Sequence, residues 1–468
     1  MSKSSLILLL PALLIFGCKA GKNYRGTEIQ VPEAFYFEEE AVIPNEFAVS
    51  TDTLSREGIA DYEWFALFGD PVLDTLITQT LNYNQDLLIA AEAIVQAQDG
   101  FVAQRAAMLP TIGVEGGATR GNFQGLLLPE TQNLFYTGAF ANWEIDFWGK
   151  FRRLNEAARA RIVQSEEGYR ATRLSLMGAV ATQYFLLLEY HMRLEISERN
   201  LALRDSTLQL IEQRYARGIV AEIDVNQAQI KRAVAAETVP LWKRLIAQTE
   251  HRISVLTGSN PRRIDLDLGL MAQDTAVVIP PGLPSELLLR RPDITAAEQN
   301  LIAQNALVGA AKANRLPSIS LTGLLGLASN DLSTLTDGPL AWNAGASILG
   351  PLFNFGRLQR AVDIEESRRR QAELVYERTV LDAFRSVEDA LVEISTLKEE
   401  LTARKQRLDA SLNAQYLSGE RYDRGVTSYL EFLESQRQAF ESELNYAGVR
   451  RELLTAYVKL WTALGGGW

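Results

Sequence analysis

Side chains able to do chemistry are few in this chain of 468 residues: two histidines, His191 and His251, and one cysteine, Cys18. Covalent catalysis needs a nucleophile activated by a neighbouring base, and a metal site needs three or four closely spaced His, Cys or carboxylate ligands. The sequence offers no metal-spaced Cys/His cluster, no nucleophile elbow and no phosphate-binding loop. His191 falls on an apolar helical stripe beside Leu187 and Leu194, the setting of a packed histidine rather than a ligand. Glu144 and Asp146, two positions apart, share one face of a strand, which suits a wet wall better than an acid–base pair. The expectation is a protein that is not an enzyme and carries no metal or cofactor.

Cys18 calls for a different chemistry. Lys3 precedes an apolar run from Leu6 to Phe16, and Gly17-Cys18 follows. This apolar core is too short for a membrane helix and reads as a secretory signal. Ile15-Phe16-Gly17-Cys18 resembles a bacterial lipobox, whose cysteine is acylated and becomes the first mature residue; Phe16 departs from the small residue that pattern prefers. Lys19 stands where an Asp would, in many Gram-negative bacteria, hold a lipoprotein at the inner membrane, so sorting to the outer membrane is allowed. The reading is a signal peptide over 1–17 and an acylated, extended arm over 18–60, with prolines at 32 and 44 and the acidic run Glu38-Glu39-Glu40. The covalent lipid on Cys18 is the sole attached group expected.

Acidic residues outnumber basic ones, 58 to 47, for a net charge of −11. No basic stripe with interleaved aromatics is present, which argues against a nucleic-acid partner. Arg368-Arg369-Arg370 sits in a Glu-rich helical stretch and reads as a solvated face. After the signal no run reaches the roughly 18 apolar residues of a membrane helix, so any crossing must be made by strands.

The elements that position these residues come in two copies. Pro110 and Pro317, Gly149 and Gly356, Asp86 and Asp293, and Gly218 and Gly425 are each 207 positions apart. One structural unit is used twice. Each copy reads as helix, β-hairpin, helix, helix. The first spans 61–258, with a hairpin at 111–147 and a helical tip near 218; a connector covers 259–284; the second spans 285–468, with a hairpin at 318–353 and a tip near 425. The hairpins alternate with period two. Ile112, Val114 and Ala118, then Thr137, Ala139, Ala141, Trp143, Ile145 and Phe147, then Ile319 and Leu321, and lastly Ala344, Ala346 and Ile348 occupy one face of their strands. Alternation alone fits a soluble two-sheet sandwich as well as a membrane barrel. Strand-end aromatics Phe135, Tyr136, Phe147, Trp148, Phe353 and Phe355 suit an interfacial girdle.

Between hairpin and tip runs a long helical pattern, with Met177, Val180, Tyr184, Leu187, His191, Leu194, Leu201, Leu208, Ile211 and Tyr215 stepping by threes, fours and sevens. From Arg152 to Tyr215 such a helix spans on the order of 90 to 100 Å. A first helix is predicted from Asp70-Pro71 to Pro110, with a break near Asn82 to Asn84. Four strands cannot close a membrane barrel, and an open edge in lipid leaves backbone groups unsatisfied, so several chains must combine if the strands span lipid.

The duplicated unit, with Trp143 to Lys150, the stretch from Gly282-Leu283-Pro284-Ser285 to Arg291-Pro292-Asp293-Ile294, Leu316-Pro317-Ser318-Ile319, Arg421-Tyr422 with Gly425, and the terminal Ala463 to Trp468, resembles the TolC-like outer-membrane efflux proteins, in particular their NodT-type lipoprotein branch. The resemblance covers nearly the whole mature chain. It implies a mainly α protein with a membrane β-barrel: a homotrimer giving four strands per chain to a twelve-stranded barrel, continued by a helical periplasmic tunnel. It further implies a passive exit duct for small molecules or drugs, served by a periplasmic membrane-fusion adaptor and an inner-membrane resistance-nodulation-division transporter. Under it, Gly218, Ile219, Val220, Gly425, Val426 and Thr427 form adaptor-contact tips, and Arg214, Tyr215, Arg217, Tyr422, Asp423 and Arg424 form a periplasmic gate. A type I secretion duct and a lipid-anchored coiled-coil scaffold are the alternatives.

Overall fold

The computed structural model describes residues 19–27, 32, 35, 68–122, 131–273, 288, 290–337 and 340–466. Cys18, most of the arm, part of the connector, the first hairpin loop and residues 338–339 of the second lie outside them. The first copy contains α1 (Pro71–Tyr83), α2 (Gln85–Ala106), β1 (Thr111–Gly121), β2 (Gln132–Ile145), α3 (Lys150–Ala216) and α4 (Glu222–Leu256). The second contains α5 (Pro292–Ala313), β3 (Ser318–Ser329), β4 (Leu340–Leu349), α6 (Arg357–Asp423) and α7 (Tyr429–Ala463). The 67-residue helices α3 and α6 begin 207 positions apart and end 207 positions apart, as do the 35-residue helices α4 and α7.

The predicted break falls at Asn84. Its side-chain oxygen accepts from the N–H groups of Asp86 and Leu87 at 2.9 and 3.2 Å, capping α2, and its amide donates to the Leu256 carbonyl at 2.9 Å. Asp70 caps α1, whose Leu73, Leu76 and Ile77 are buried on one face.

Two compact units divide the chain, and each draws on both copies. One takes Met1–Ile29, Glu92–Glu167 and Ile294–Thr379. It holds a four-stranded antiparallel sheet in the order β1-β2-β3-β4 and an alanine core of Ala157, Ala160, Ala303 and Ala306, small enough for helix backbones to approach closely. The other takes Gln30–Ala91, Gly168–Asp293 and Val380–Trp468. Its core includes Leu73, Ile77, Tyr184, Phe185, Ile253 and Leu454.

Two sequence expectations need correction. Asp146 lies past the end of β2, and its carboxylate accepts from the N–H groups of Phe151 and Arg152 at 3.0 and 2.9 Å, while Glu144 binds Lys150 at 2.9 Å. Both serve the strand-to-helix corner instead of forming a wall, because a carboxylate facing the first turn of a helix satisfies otherwise unpaired donors. The apolar seam of α3 also departs from strict sevens. Met177, Val180, Tyr184 and Leu187 are buried, but His191, Leu194, Leu201 and Leu208 are only half-buried, and the buried positions run instead through Glu189, Ile196, Ser197, Arg204 and Ile211.

Candidate functional site

The strand register places the predicted apolar positions of β1 to β4 on one face, whereas Phe147 falls in the turn after β2. Ile112 pairs with Ala141 and Val114 with Ala139; across the next ladder Ala139 pairs with Leu325 and Trp143 with Leu321; beyond that Leu325 pairs with Trp342 and Ile319 with Ile348. Paired residues point the same way, so these side chains form one continuous apolar surface. That surface is uncovered: Val114 is 85% and Trp342 75% exposed. An area this large and apolar is foreign to a water-facing sheet.

The opposite face carries Glu115, Asn142, Thr322, Asn343 and Ser347 among glycines. Here the Phe140 ring lies over Gly113, where a Cβ would come within 2.6 Å of it, and Tyr136 covers Gly117 in the same manner. Gly138 and Gly326 oppose each other so closely that either Cβ would strike the other strand's backbone. The outer strands β1 and β4 each have one edge without a partner among the described residues. Of the girdle aromatics, Trp148 donates its indole N–H to the Pro317 carbonyl at 2.7 Å, whereas Phe353 and Phe355 are exposed and meet edge to face with ring centroids 4.6 Å apart.

The tips of the two helical hairpins have one geometry. Gly218 has φ 72° and donates its N–H to the Tyr215 carbonyl at 2.8 Å, while Ile219 N–H reaches Arg214 at 2.9 Å. Gly425 repeats this, with φ 72° and its N–H 3.0 Å from the Tyr422 carbonyl, while Val426 N–H reaches Arg421 at 2.9 Å. These left-handed caps satisfy the last helical carbonyls. Ile219 and Val426 project outward; Val220 packs inward; Thr427 donates its hydroxyl to Glu431, and Ser428 caps α7.

Both tips share one core, in which Tyr422 joins Ile211 and Ala228. Phe432 stacks on Tyr422 with ring centroids 5.5 Å apart, and the Arg214 guanidinium lies 4.8 Å from the centre of the Tyr422 ring. Burial pushes the Tyr422 hydroxyl up, with Arg214 opposing, and pushes Tyr429 up to about 12. Of the six residues assigned to a gate, Arg214 and Tyr422 are thus in contact within the chain. Arg424 pairs with Glu420 at 2.9 Å. Tyr215, Arg217 and Asp423 are exposed, and the side chains of Arg217 and Asp423 have no hydrogen-bond or ionic partner among the described residues.

Sequence reading missed the aromatics Tyr429 and Phe432, whose three-residue spacing on α7 was the available sign. It also missed a polar layer in which Arg204, buried on α3, donates to Gln436 on α7. His191 is half-buried, lines a cleft of about 480 Å³ with Leu188, Glu195 and Met271, and is pushed down by burial against the opposing pull of Glu250. His251 is exposed.

Comparison with known proteins fits this picture. The chain is 34% identical over 409 residues to the solvent efflux pump outer membrane protein SrpC of Pseudomonas putida, covering 86% of each. It is 32% identical to the cation efflux system protein CusC of Escherichia coli over the full length of both. Among solved structures, the outer-membrane channel OprN superposes with a TM-score of 0.85 at 27% identity, across 96% of this chain and 100% of OprN. The family model for outer membrane efflux protein matches twice, at residues 76–259 and 283–466, so that the chain belongs to that family.

Proposed function

We propose that three copies of this outer-membrane efflux protein close a twelve-stranded barrel through their β1 and β4 edges and serve as the passive exit duct of a tripartite pump of the resistance-nodulation-division type. The observation that carries this reading is the open-edged sheet with one exposed apolar face. In lipid, unpaired strand edges cost several kcal/mol per group, and pairing them with other copies removes that cost. Relatives named for solvents and for cations are similar to this chain over most of its length, which supports a duct that passes whatever a transporter delivers. The chain itself contributes no catalytic step and no cofactor; energy comes from the transporter.

In this reading Cys18 is acylated. The exposed tip residues Gly218, Ile219, Gly425, Val426 and Thr427, with Val220 behind them, meet the periplasmic adaptor. Arg217 and Asp423, whose side chains have no hydrogen-bond or ionic partner among the described residues, pair between copies to hold the duct closed. Native mass spectrometry of protein extracted from outer membranes tests the assembly. The expected species is a trimer with acyl mass on every chain; a monomer would overturn the barrel. For the gate, Asp423→Ala is expected to raise leak of bulky antibiotics into cells, and unchanged leak would remove Asp423 from that role.

A further inference from the structure

Arg153 in the first turn of α3 is only 1% exposed, and each of its donor groups has an acceptor. Nε donates to the Ala20 carbonyl at 2.9 Å, Nη2 to the Gly21 carbonyl at 2.9 Å, and Nη1 to Glu156 at 2.9 Å. The same Glu156 oxygen holds the Lys19 ammonium at 2.6 Å. Ala20 N–H donates to the Trp148 carbonyl at 3.0 Å, and a Cβ on Gly149 would lie 3.1 Å from the Lys19 backbone. Farther along, Gly21, at φ 80°, passes over Gly309 of α5; a Cβ on Gly309 would meet Arg153 Nε at 2.7 Å and the Ala20 carbonyl at 2.9 Å. Asn305 donates to the Lys22 carbonyl at 3.1 Å, and the Tyr24 hydroxyl donates to Glu298 at 3.2 Å.

Residues 19–24 therefore lie in a built groove that joins α3 of the first copy to α5 of the second. Its contacts go largely to backbone carbonyls, so it fixes the path of the chain more than the identity of its side chains. A sequence reading of residues 18–60 as a bare extended arm gives no reason for a buried arginine aimed at its first residues, since burying a charge is unfavourable unless its donors are met.

We propose that Arg153, Glu156, Gly149 and Gly309 form an internal receptor for the mature N-terminus, holding the residue next to the lipidated cysteine at the corner where β2 turns into α3. This rests on the reading of Cys18 as acylated only for what it holds in place. A lipid on Cys18 is one peptide unit from Lys19, so the receptor sets the anchor against the strand-to-helix corner, and Lys19 acquires a role in the folded protein separate from sorting.

Trypsin supplies the test, because Lys19, Lys22 and Arg25 are its natural cleavage points. Mature protein from outer membranes is digested briefly and the release of N-terminal peptides followed by mass spectrometry. In the wild type these sites are expected to be cut slowly. Arg153→Ala should speed cleavage about tenfold through local opening, and Arg153→Lys should lie between the two. Gly309→Ala should do the same by crowding the segment out while Arg153 remains, and Glu156→Gln should do so by releasing Lys19; these two keep the test informative where Arg153→Ala fails to fold. Wild-type cleavage rates in Gly309→Ala and Glu156→Gln, or a wild type cut as fast as the variants, would overturn the receptor. Absence of acyl mass from the wild type would instead overturn the lipid reading, and the cleavage rates would still decide the docking.

Discussion

Asp70 is fully buried, and among the described residues its carboxylate accepts four hydrogen bonds, all from neutral donors. One oxygen accepts from Val72 and Leu73 N–H at 3.0 and 3.4 Å, the other from the Tyr184 hydroxyl at 2.5 Å and the Gln273 amide at 2.6 Å. Burial and this carboxylate keep the Tyr184 hydroxyl protonated by pushing it far up. Asp70→Ala removes a helix cap and strands two buried donors, a loss of roughly 3 kcal/mol or more. Asp70→Asn keeps the cap but offers Gln273 a donor where it needs an acceptor. The expected order of thermal midpoints, followed by helical circular dichroism in detergent, is wild type, then Asn, then Ala. The Asp70-Pro71 cap was legible in sequence; Tyr184 and Gln273, 114 and 203 positions away, carry no local sign of it. Glu156 gives a pH prediction at the same scale. Burial alone would raise it, but the Lys19 hydrogen bond and the charges of Arg153 and Lys19 outweigh burial and hold it below its ordinary 4.5. A carboxyl lowered by folding stabilises above its unfolded value and ceases to do so as pH falls through the lower folded one. Amide-exchange protection of residues 19–27, corrected for intrinsic rates, should be level from neutral pH to about 5.5 and fall at pH below about 4.5, with Glu156→Gln weak throughout.

At the scale of elements, the helical hairpins were the most legible part, because their caps are local chemistry repeated twice. Gly218 and Gly425 both have φ 72° and open space around a would-be Cβ, so any side chain there is opposed by backbone strain and by nothing else. Gly218→Ala and Gly425→Ala should each lower stability by roughly 1 kcal/mol, and a β-branched valine by more. Equal losses in the two variants, read from unfolding midpoints, would show the copies to be energetically equivalent; a loss confined to one would show that its neighbours bear the strain. The seam was less legible. Past Leu187 the buried positions run through Leu188, Glu189, Ile196 and Ser197 to Arg204 and Ile211, leaving the line of His191, Leu194 and Leu201. Part of its floor there is polar, with Ser197, Arg204 and Thr207 buried beside Ile196 and Ile211. Arg204 meets Gln436 of α7, so a search for apolar residues alone follows Leu194 and Leu201 off the packed face.

At the scale of the whole molecule, the sheet joins what the sequence shows only in pieces. Each strand's alternation was visible, but alternation cannot say which faces coincide; the pairings of Ile112 with Ala141, Trp143 with Leu321 and Leu325 with Trp342 do. Nor does it show that the compact units cut across the repeat, since each takes a segment of both copies. Adjacent residues of β4 now carry opposite expectations. Trp342 lies on the apolar face and Asn343 on the polar one. If the apolar face meets lipid, Trp342→Arg places a charge in hydrocarbon at roughly 2–4 kcal/mol per chain near the midplane, and three copies in one barrel multiply that cost. Asn343→Arg adds the same side chain where water is available. Outer-membrane fractionation with semi-native electrophoresis should find Asn343→Arg as an assembled oligomer and Trp342→Arg depleted from the membrane as a monomer. If both variants assemble alike, the apolar face does not meet lipid, and the chains must pack these surfaces against one another.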